Sequence, residues 1–330
     1  MNRPYRRRTT QQFLLVAQLP EVQEMDGYSA SELVDIFTMQ AFAGISLFSV
    51  FVLMALGLAI IFGQMGVINM AHGEFLTIGA YSTVAMSMLA EKYPALLNYY
   101  FFLAVIVAFL IAFIVGWLVE ISIIRHLYKR PLDTLLATWG LSLIMQQFFR
   151  SAFGAREVSA VLPDWLMGSW TLREGLDIPI NGLFVLGLTI VLSAAVVMFL
   201  LRSRWGLKVR ATTQNRSMAG AVGIDTAKVD RMTFALGCGI AGVAGAAFTT
   251  IASTGPTSGS LYIVDTFLVV VFGGAGSLVG TFASAFSIAQ AQSILGFFLS
   301  GSMAKVLTLV AVVGILMARP EGLFSIRVRK

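Results

Sequence analysis

Several windows of about 20 residues in this chain carry no charged side chain, and each is long enough to cross the roughly 30 Å hydrocarbon core of a bilayer as a helix. Of 330 residues, 57% are apolar and only 12% charged, about half the charge of an ordinary soluble domain, so a soluble fold is excluded. The net charge of +6 does not indicate nucleic acid, because the basic residues lie between apolar spans, which is the pattern of membrane topology. A single cysteine, Cys238, sits in an apolar stretch; it excludes a disulfide framework and reads as a small packing residue.

Candidate spans fall at about 38–63, 67–90, 99–124, 132–150, 181–202, 232–252, a short 261–273, 278–299 and 303–318, which predicts an all-α polytopic membrane protein of about eight to ten transmembrane helices. Arg125, Lys129 and Arg130 fill one loop, and Arg202, Arg204, Lys208, Arg210, Arg216, Lys228 and Arg231 crowd another; both are expected on the cytoplasmic side. The segment 150–181 between them mixes charge with Trp165 and Trp170 and reads as external. Four crossings from the second basic loop bring the C-terminal tail 326–330, with Arg327, Arg329 and Lys330, back inside. Counting backwards places the N-terminus outside, against Arg6, Arg7 and Arg8, which lie far from the first span. Residues 1–35 are polar and of mixed sign, contain no signal-peptide core, and read as a surface extension.

Two glycine-rich interruptions stand out. The first, Gly63–Tyr81, reads GQMGVINMAHGEFLTIGAY and places Asn69, His72, Glu74 and Thr77 inside an apolar region. Such side chains are costly in hydrocarbon and mark a pathway or binding site by default. The second, Phe272–Gly280, contains Gly273, Gly274, Gly276 and Ser277, and it begins about a dozen residues after the loop 255–260, which at 1.5 Å per residue puts it about 18 Å in, half-way across. Two broken helices, one in each half of a chain, are the sequence pointer to a transporter site. The plainer alternative is close helix packing, as at Gly237-Cys238-Gly239-Ile240-Ala241. His72 alone is as readily a hydrogen-bonded core residue, Glu74 suits an interface equally, and Asp265 is expected near the external surface.

The basic loop 203–231 carries its own information. Within it Ser217–Val222 suits a short helix of small residues ended by Gly223, and a loop of that length with its own helix invites docking; a solvated loop lying at anionic headgroups is the alternative.

The runs INMAHGEFLTIGAY, NRSMAGAVGID and VVVFGGAGSLVGTFASAF together resemble the permease subunits of bacterial ABC importers for branched-chain amino acids and urea. Leu136–Ala155, Pro163–Trp170 and Thr212–Gly245 are most similar to the urea type. The resemblance covers about 36–325 and leaves the N-terminal extension outside it. It implies a transmembrane permease domain in the bacterial inner membrane, a second homologous permease, two cytoplasmic ATPase subunits, an external solute-binding protein and the surrounding lipid, with no cofactor, no metal and no nucleic acid. It also implies that Met218, Ala219, Gly220, Gly223, Ile224 and Asp225 form the ATPase coupling segment, while the two interruptions themselves point to Asn69, His72, Glu74, Thr77, Gly273, Gly274, Gly276 and Ser277 as the lining of the substrate pathway. The chain has no phosphate-binding loop of its own, so ATP hydrolysis belongs to a partner. Urea, small, neutral and planar, fits amide, carboxylate, carbonyl and hydroxyl groups, and the spans hold no central Arg or Lys for an amino-acid carboxylate, although helix N-termini also bind carboxylates. An ion-coupled transporter using Glu74 and His72, or a passive channel, is the reading from another class. An intramembrane metalloenzyme lacks its ligand spacing, since His72-Gly73-Glu74 stands alone.

Overall fold

A computed structural model describes residues 30–93, 96–128, 130–173, 176–274, 276–319 and 322. The extension, apart from its last residues, and the tail 326–330 lie outside the described residues. Among the described residues the chain forms α1 (Ala30–Met65), α2 (His72–Lys92), α3 (Tyr100–Leu127), α4 (Pro131–Phe153), α5 (Ile180–Arg202), two short helices α6 (Arg204–Gln214) and α7 (Arg216–Ala221), then α8 (Thr226–Phe248), α9 (Ser258–Gly273), α10 (Leu278–Phe298) and α11 (Gly301–Ala318). Nine of these coincide with the nine candidate spans. Six (α1, α3, α5, α8, α10 and α11) are long and apolar enough to cross a membrane; α2 and α4 have the length but are more polar, and α9 has 16 residues. The protein is an all-α polytopic membrane protein. The segment 150–181 adds a small antiparallel hairpin, β1 (Ser169–Arg173) with β2 (Leu176–Pro179), which charge and aromatic content did not foretell.

Small residues decide how closely the helices approach. In α3 Ala104, Ala108, Ala112 and Gly116 recur every fourth position and are all buried, whereas Leu103, Ile106, Leu110 and Ile114 face outward. That narrow stripe lies on α8, where a Cβ placed on Gly242 would stand 2.6 Å from the Ala108 carbonyl oxygen, and one on Gly116 would stand 2.6 Å from Cys238 Cβ. The other faces of α8 are as tight: a Cβ on Gly237 would lie 2.7 Å from the Gly57 carbonyl of α1, and one on Gly245 2.0 Å from the Leu76 carbonyl of α2. Lipid is as apolar as leucine, so such helices associate through close packing rather than through hydrophobic burial. The packing reading of Gly237–Ala241 therefore holds, with α8 at the centre of α1, α2 and α3. Cys238 is free and fully buried, as a packing residue should be.

A Cβ on Gly79 of α2 would come within 1.9 Å of the Gly242 carbonyl oxygen. Gly79→Val is accordingly expected to force α2 off α8 and to cost at least about 1–3 kcal/mol, the usual range for overpacking. Thermal unfolding of the detergent-solubilised protein measures this, and a variant that melts with the wild type would show that the seam has more slack than these distances allow.

Candidate functional site

The first interruption is a reversal of the chain into the protein. Helix α1 ends at Met65, Gly66 takes a positive φ of 63° that favours glycine, residues 66–69 are non-helical, and α2 starts at His72. The imidazole Nε2 of His72 donates to the Met54 carbonyl oxygen at 3.2 Å. A carbonyl only accepts, so Nε2 carries the proton and Nδ1 is left as an acceptor, buried and without a partner among the described residues. Met54 precedes the end of α1 by three turns, about 16 Å at the helical rise, so α2 begins deep beside the middle of α1 and not at its end. Non-helical backbone is tolerated there because it is packed in protein or faces a polar space. Gly66 is exposed, and Ile68 and Met70 are half-buried, so this segment presents its backbone and alternate side chains to the outside of the subunit.

The polar residues of the island are turned the other way. Asn69 is 2% exposed; its Oδ1 accepts from Ala71 N–H at 3.1 Å and its carbonyl from His72 N–H at 3.2 Å, a side-chain-braced turn that starts α2. Its Nδ2 has no partner among the described residues. Glu74 is fully buried, with Oε1 accepting from Ser142 Oγ and Gln146 Nε2, each at 2.9 Å. Thr138 Oγ1 of α4 accepts from Met70 N–H at 3.1 Å. Thr77 Oγ1 accepts from Gly259 N–H at 2.9 Å, which ties the start of α9 to α2. Thr134, Thr138, Ser142 and Gln146 thus form a polar stripe at every fourth position of α4, facing the interruption. The sequence reading missed it, although its spacing is a helical signal.

The second interruption lies between α9 and α10. Gly274 and Gly276 take φ of 95° and 89°, Ser277 Oγ caps α10 by accepting from Gly280 N–H at 3.1 Å, and Gly273 is tight enough against α10 that a Cβ there would be 2.5 Å from the Gly280 carbonyl. The two interruptions meet: a Cβ on Gly63 would lie 3.3 Å from Gly276 Cα. Half-way depth for this second break does not hold. Its neighbour across the contact is the end of α1, where Gln64 bonds to Asp230 in a layer of ionised groups. The reason is that α9 starts deep, with Gly259 against Gly73 and Thr77, so counting from the loop 255–260 began from the wrong level.

Asp265 is buried, at 6% exposure, between α9, α10 and α11. Gln292 donates to it at 3.0 Å, and Lys305 of α11 sits 3.3 Å from its other oxygen and 4.6 Å over the Tyr262 ring. This cation is therefore already engaged by a carboxylate.

The basic loop folds as expected in kind, with α6 preceding the predicted short helix. Asn215 caps α7 by accepting from Met218 N–H at 3.0 Å, Gly223 ends it at φ 86°, the Ile224 N–H returns to the Ala219 carbonyl at 3.0 Å, and Asp225 caps α8 through Lys228 N–H at 3.0 Å. Met218 and Val222 are 60% and 70% exposed while Ala219 is buried, and with Ala211, Gln214 and Asn215 they line a surface groove of about 480 Å³.

Two broken segments that come together within a helical membrane protein are a pointer to a transport site. The family model described as branched-chain amino acid transport system / permease component matches residues 40–316, and the chain belongs to that family. It is similar to the high-affinity branched-chain amino acid transport system permease protein LivH of Salmonella typhimurium and that of Escherichia coli, each 28% identical over 299 residues that cover 88% of this chain and 96% of the relative. BraD of Pseudomonas aeruginosa, named as the same kind of permease, is 25% identical over 307 residues, again 88% of this chain and 96% of the relative. No solved structure matches it significantly. The protein is thus a multi-pass inner-membrane permease component and not an enzyme.

Glu74→Ala removes the acceptor of Ser142 and Gln146 together. The variant is expected to lose about 1 kcal/mol, typical of polar contacts between membrane helices, and to release α4 first. Hydrogen exchange of peptides spanning 138–146 reads that release; protection equal to the wild type would show that α4 is held by other contacts.

Proposed function

We propose that this chain is the permease subunit of an ATP-driven importer and that its solute is a branched-chain amino acid. The observation that carries the reading is the meeting of two glycine-broken segments at Gly63 and Gly276 in a chain matched over most of its length to branched-chain amino acid permeases. In this reading an external binding protein delivers the solute, a second homologous permease completes the pathway, and two cytoplasmic ATPase subunits dock on α7. Met218 and Val222 offer an exposed apolar contact, Ala219 and Gly220 keep the helix slim, Gly223 and Ile224 close it, and Asp225 fixes it to α8. The pathway wall is built from Asn69, His72, Glu74 and Thr77 on one side and Gly273, Gly274, Gly276 and Ser277 on the other. Because the island's side chains are buried, the solute meets mainly backbone and the half-buried Ile68 and Met70, and the polar groups hold that backbone in place. An amino-acid carboxylate needs no lysine there if backbone N–H groups serve it.

Urea remains the second reading, carried by the urea-like stretches Leu136–Ala155, Pro163–Trp170 and Thr212–Gly245 and by a neutral amide at Asn69. Proteoliposomes containing the complete transporter and its binding protein separate the two. The expected result is ATP-dependent uptake of labelled leucine, isoleucine or valine that a catalytically dead ATPase abolishes; uptake of urea with no competition by leucine would favour the second reading, and uptake indifferent to the dead ATPase would contradict both. In the same assay Gly223→Trp is expected to reduce copurification of the ATPase or uptake by about ten-fold or more, since a side chain at positive φ costs about 1–2 kcal/mol in addition to its bulk. Normal assembly and uptake would remove the docking role from this turn.

A further inference from the structure

The cytoplasmic end of the subunit contains an ionic network that joins the helix α7 to the place where the two interruptions meet. Arg216, the first residue of α7, pairs with the carboxylate of Asp230 in the first turns of α8. Asp230 is fully buried, whereas the Arg216 side chain is 49% exposed, so the buried charge is held by a residue belonging to the surface helix. The other carboxylate oxygen of Asp230 accepts from Gln64 Nε2 at 3.4 Å. Gln64 is next to Gly63, which faces Gly276 across a gap that a single Cβ would fill. On its other side the Arg216 guanidinium lies 5.6 Å over the Tyr128 ring, whose hydroxyl donates to Glu120 at 2.6 Å, and Arg231 donates to the same carboxylate at 3.2 Å. Glu120, 1% exposed, opens the π-helical turn Glu120–Ile124 inside α3. Such turns cost helix stability and are found where a side chain must be aimed.

From this geometry we infer that Arg216 and Asp230 are the positioning residues that transmit displacement of α7 to the broken segments, through Gln64 to the end of α1 and through Tyr128 and Glu120 to the π turn of α3. The inference rests on the docking of an ATPase at α7. A buried carboxylate cannot be left unpaired without a large cost, so α7 and the start of α8 move together as long as the pair exists. Gln64 then carries the motion to the place where Gly63 faces Gly276; a Cβ on Gly63 would stand 3.3 Å from Gly276 Cα, so the gap between the two glycines is about one methyl group wide and an advance of the end of α1 by more than that displaces Gly276. A solvated surface arginine would do none of this. Packing alone explains neither why a fully buried aspartate is present nor why its partner belongs to the helix with the exposed Met218 and Val222.

The test uses the complete transporter and the double variant Arg216→Met with Asp230→Leu. Replacing both partners of a buried pair with apolar side chains is often neutral for stability, whereas removing one is not, so the double variant is expected to keep the fold while deleting the tie together with the links of its two ends to Gln64 and Tyr128. Expected are ATPase copurification and ATP hydrolysis within about two-fold of wild type, with solute moved per ATP hydrolysed lower by about ten-fold or more. Unchanged transport per ATP would overturn the inference, and so would failure of the double variant to assemble, which would make the pair a folding clamp. A parallel Met218→Asp, Val222→Asp variant addresses the docking on which the inference rests: it is expected to lose the ATPase. Retention of the ATPase and of uptake by that variant would contradict docking at α7, independently of the result for the ion pair.

Discussion

Close contact of glycine backbones around α8 is the constraint on which the rest of this subunit depends. With Gly57, Gly79, Gly237, Gly242 and Gly245 at the crossings, α1, α2 and α3 approach α8 to distances at which a single methyl group would collide with a carbonyl. In lipid there is no hydrophobic penalty for separating helices, so this proximity and the hydrogen bonds it permits supply the association. It also fixes where α2 must begin. His72 reaches the Met54 carbonyl only because Gly57 leaves room, with His72 Cε1 3.2 Å from the position a Gly57 Cβ would take.

Given that frame, the non-helical segment 66–71 has a defined course. It leaves the end of α1, turns at a positive-φ glycine, runs back along the helix and re-enters helical geometry at a turn braced by Asn69. The polar side chains of the island then act on neighbours: His72 on α1, Glu74 on α4, Thr77 on α9. A segment held from three sides can be shifted as a unit when the surrounding helices rock, which is what alternating access asks of a pathway wall. The Gly63–Gly276 contact extends the same logic to the other half of the chain.

Much of this was legible in the sequence. The nine helical segments, the two interruptions and the short helix ended by Gly223 follow from charge-free length, glycine placement and capping chemistry, all of which are local. What was not legible is which polar groups answer one another. Gln64 and Asp230 are 166 residues apart, Glu120 and Arg231 111, and Glu74 and Gln146 72, and nothing in the periodicity of either partner names the other. The polar stripe of α4 was available from its spacing, but threonine and serine are tolerated anywhere in a membrane helix, so the spacing alone does not say what the stripe faces. The depth of the second break failed for a different reason: rise per residue gives a length, and the level at which α9 starts is set by its contact with α2 rather than by its own sequence.

A moving pathway wall requires that the segment between α1 and α2 change its exposure during transport. A cysteine at position 68 in a Cys238→Ala background, within the complete transporter, allows that to be measured with a membrane-impermeant thiol reagent. Ile68→Cys is expected to be labelled from one side without nucleotide and to be protected, or labelled from the opposite side, when the ATPase is trapped with vanadate. Equal labelling from the same side in both states would contradict a moving pathway wall and reduce the interruption to a packing feature.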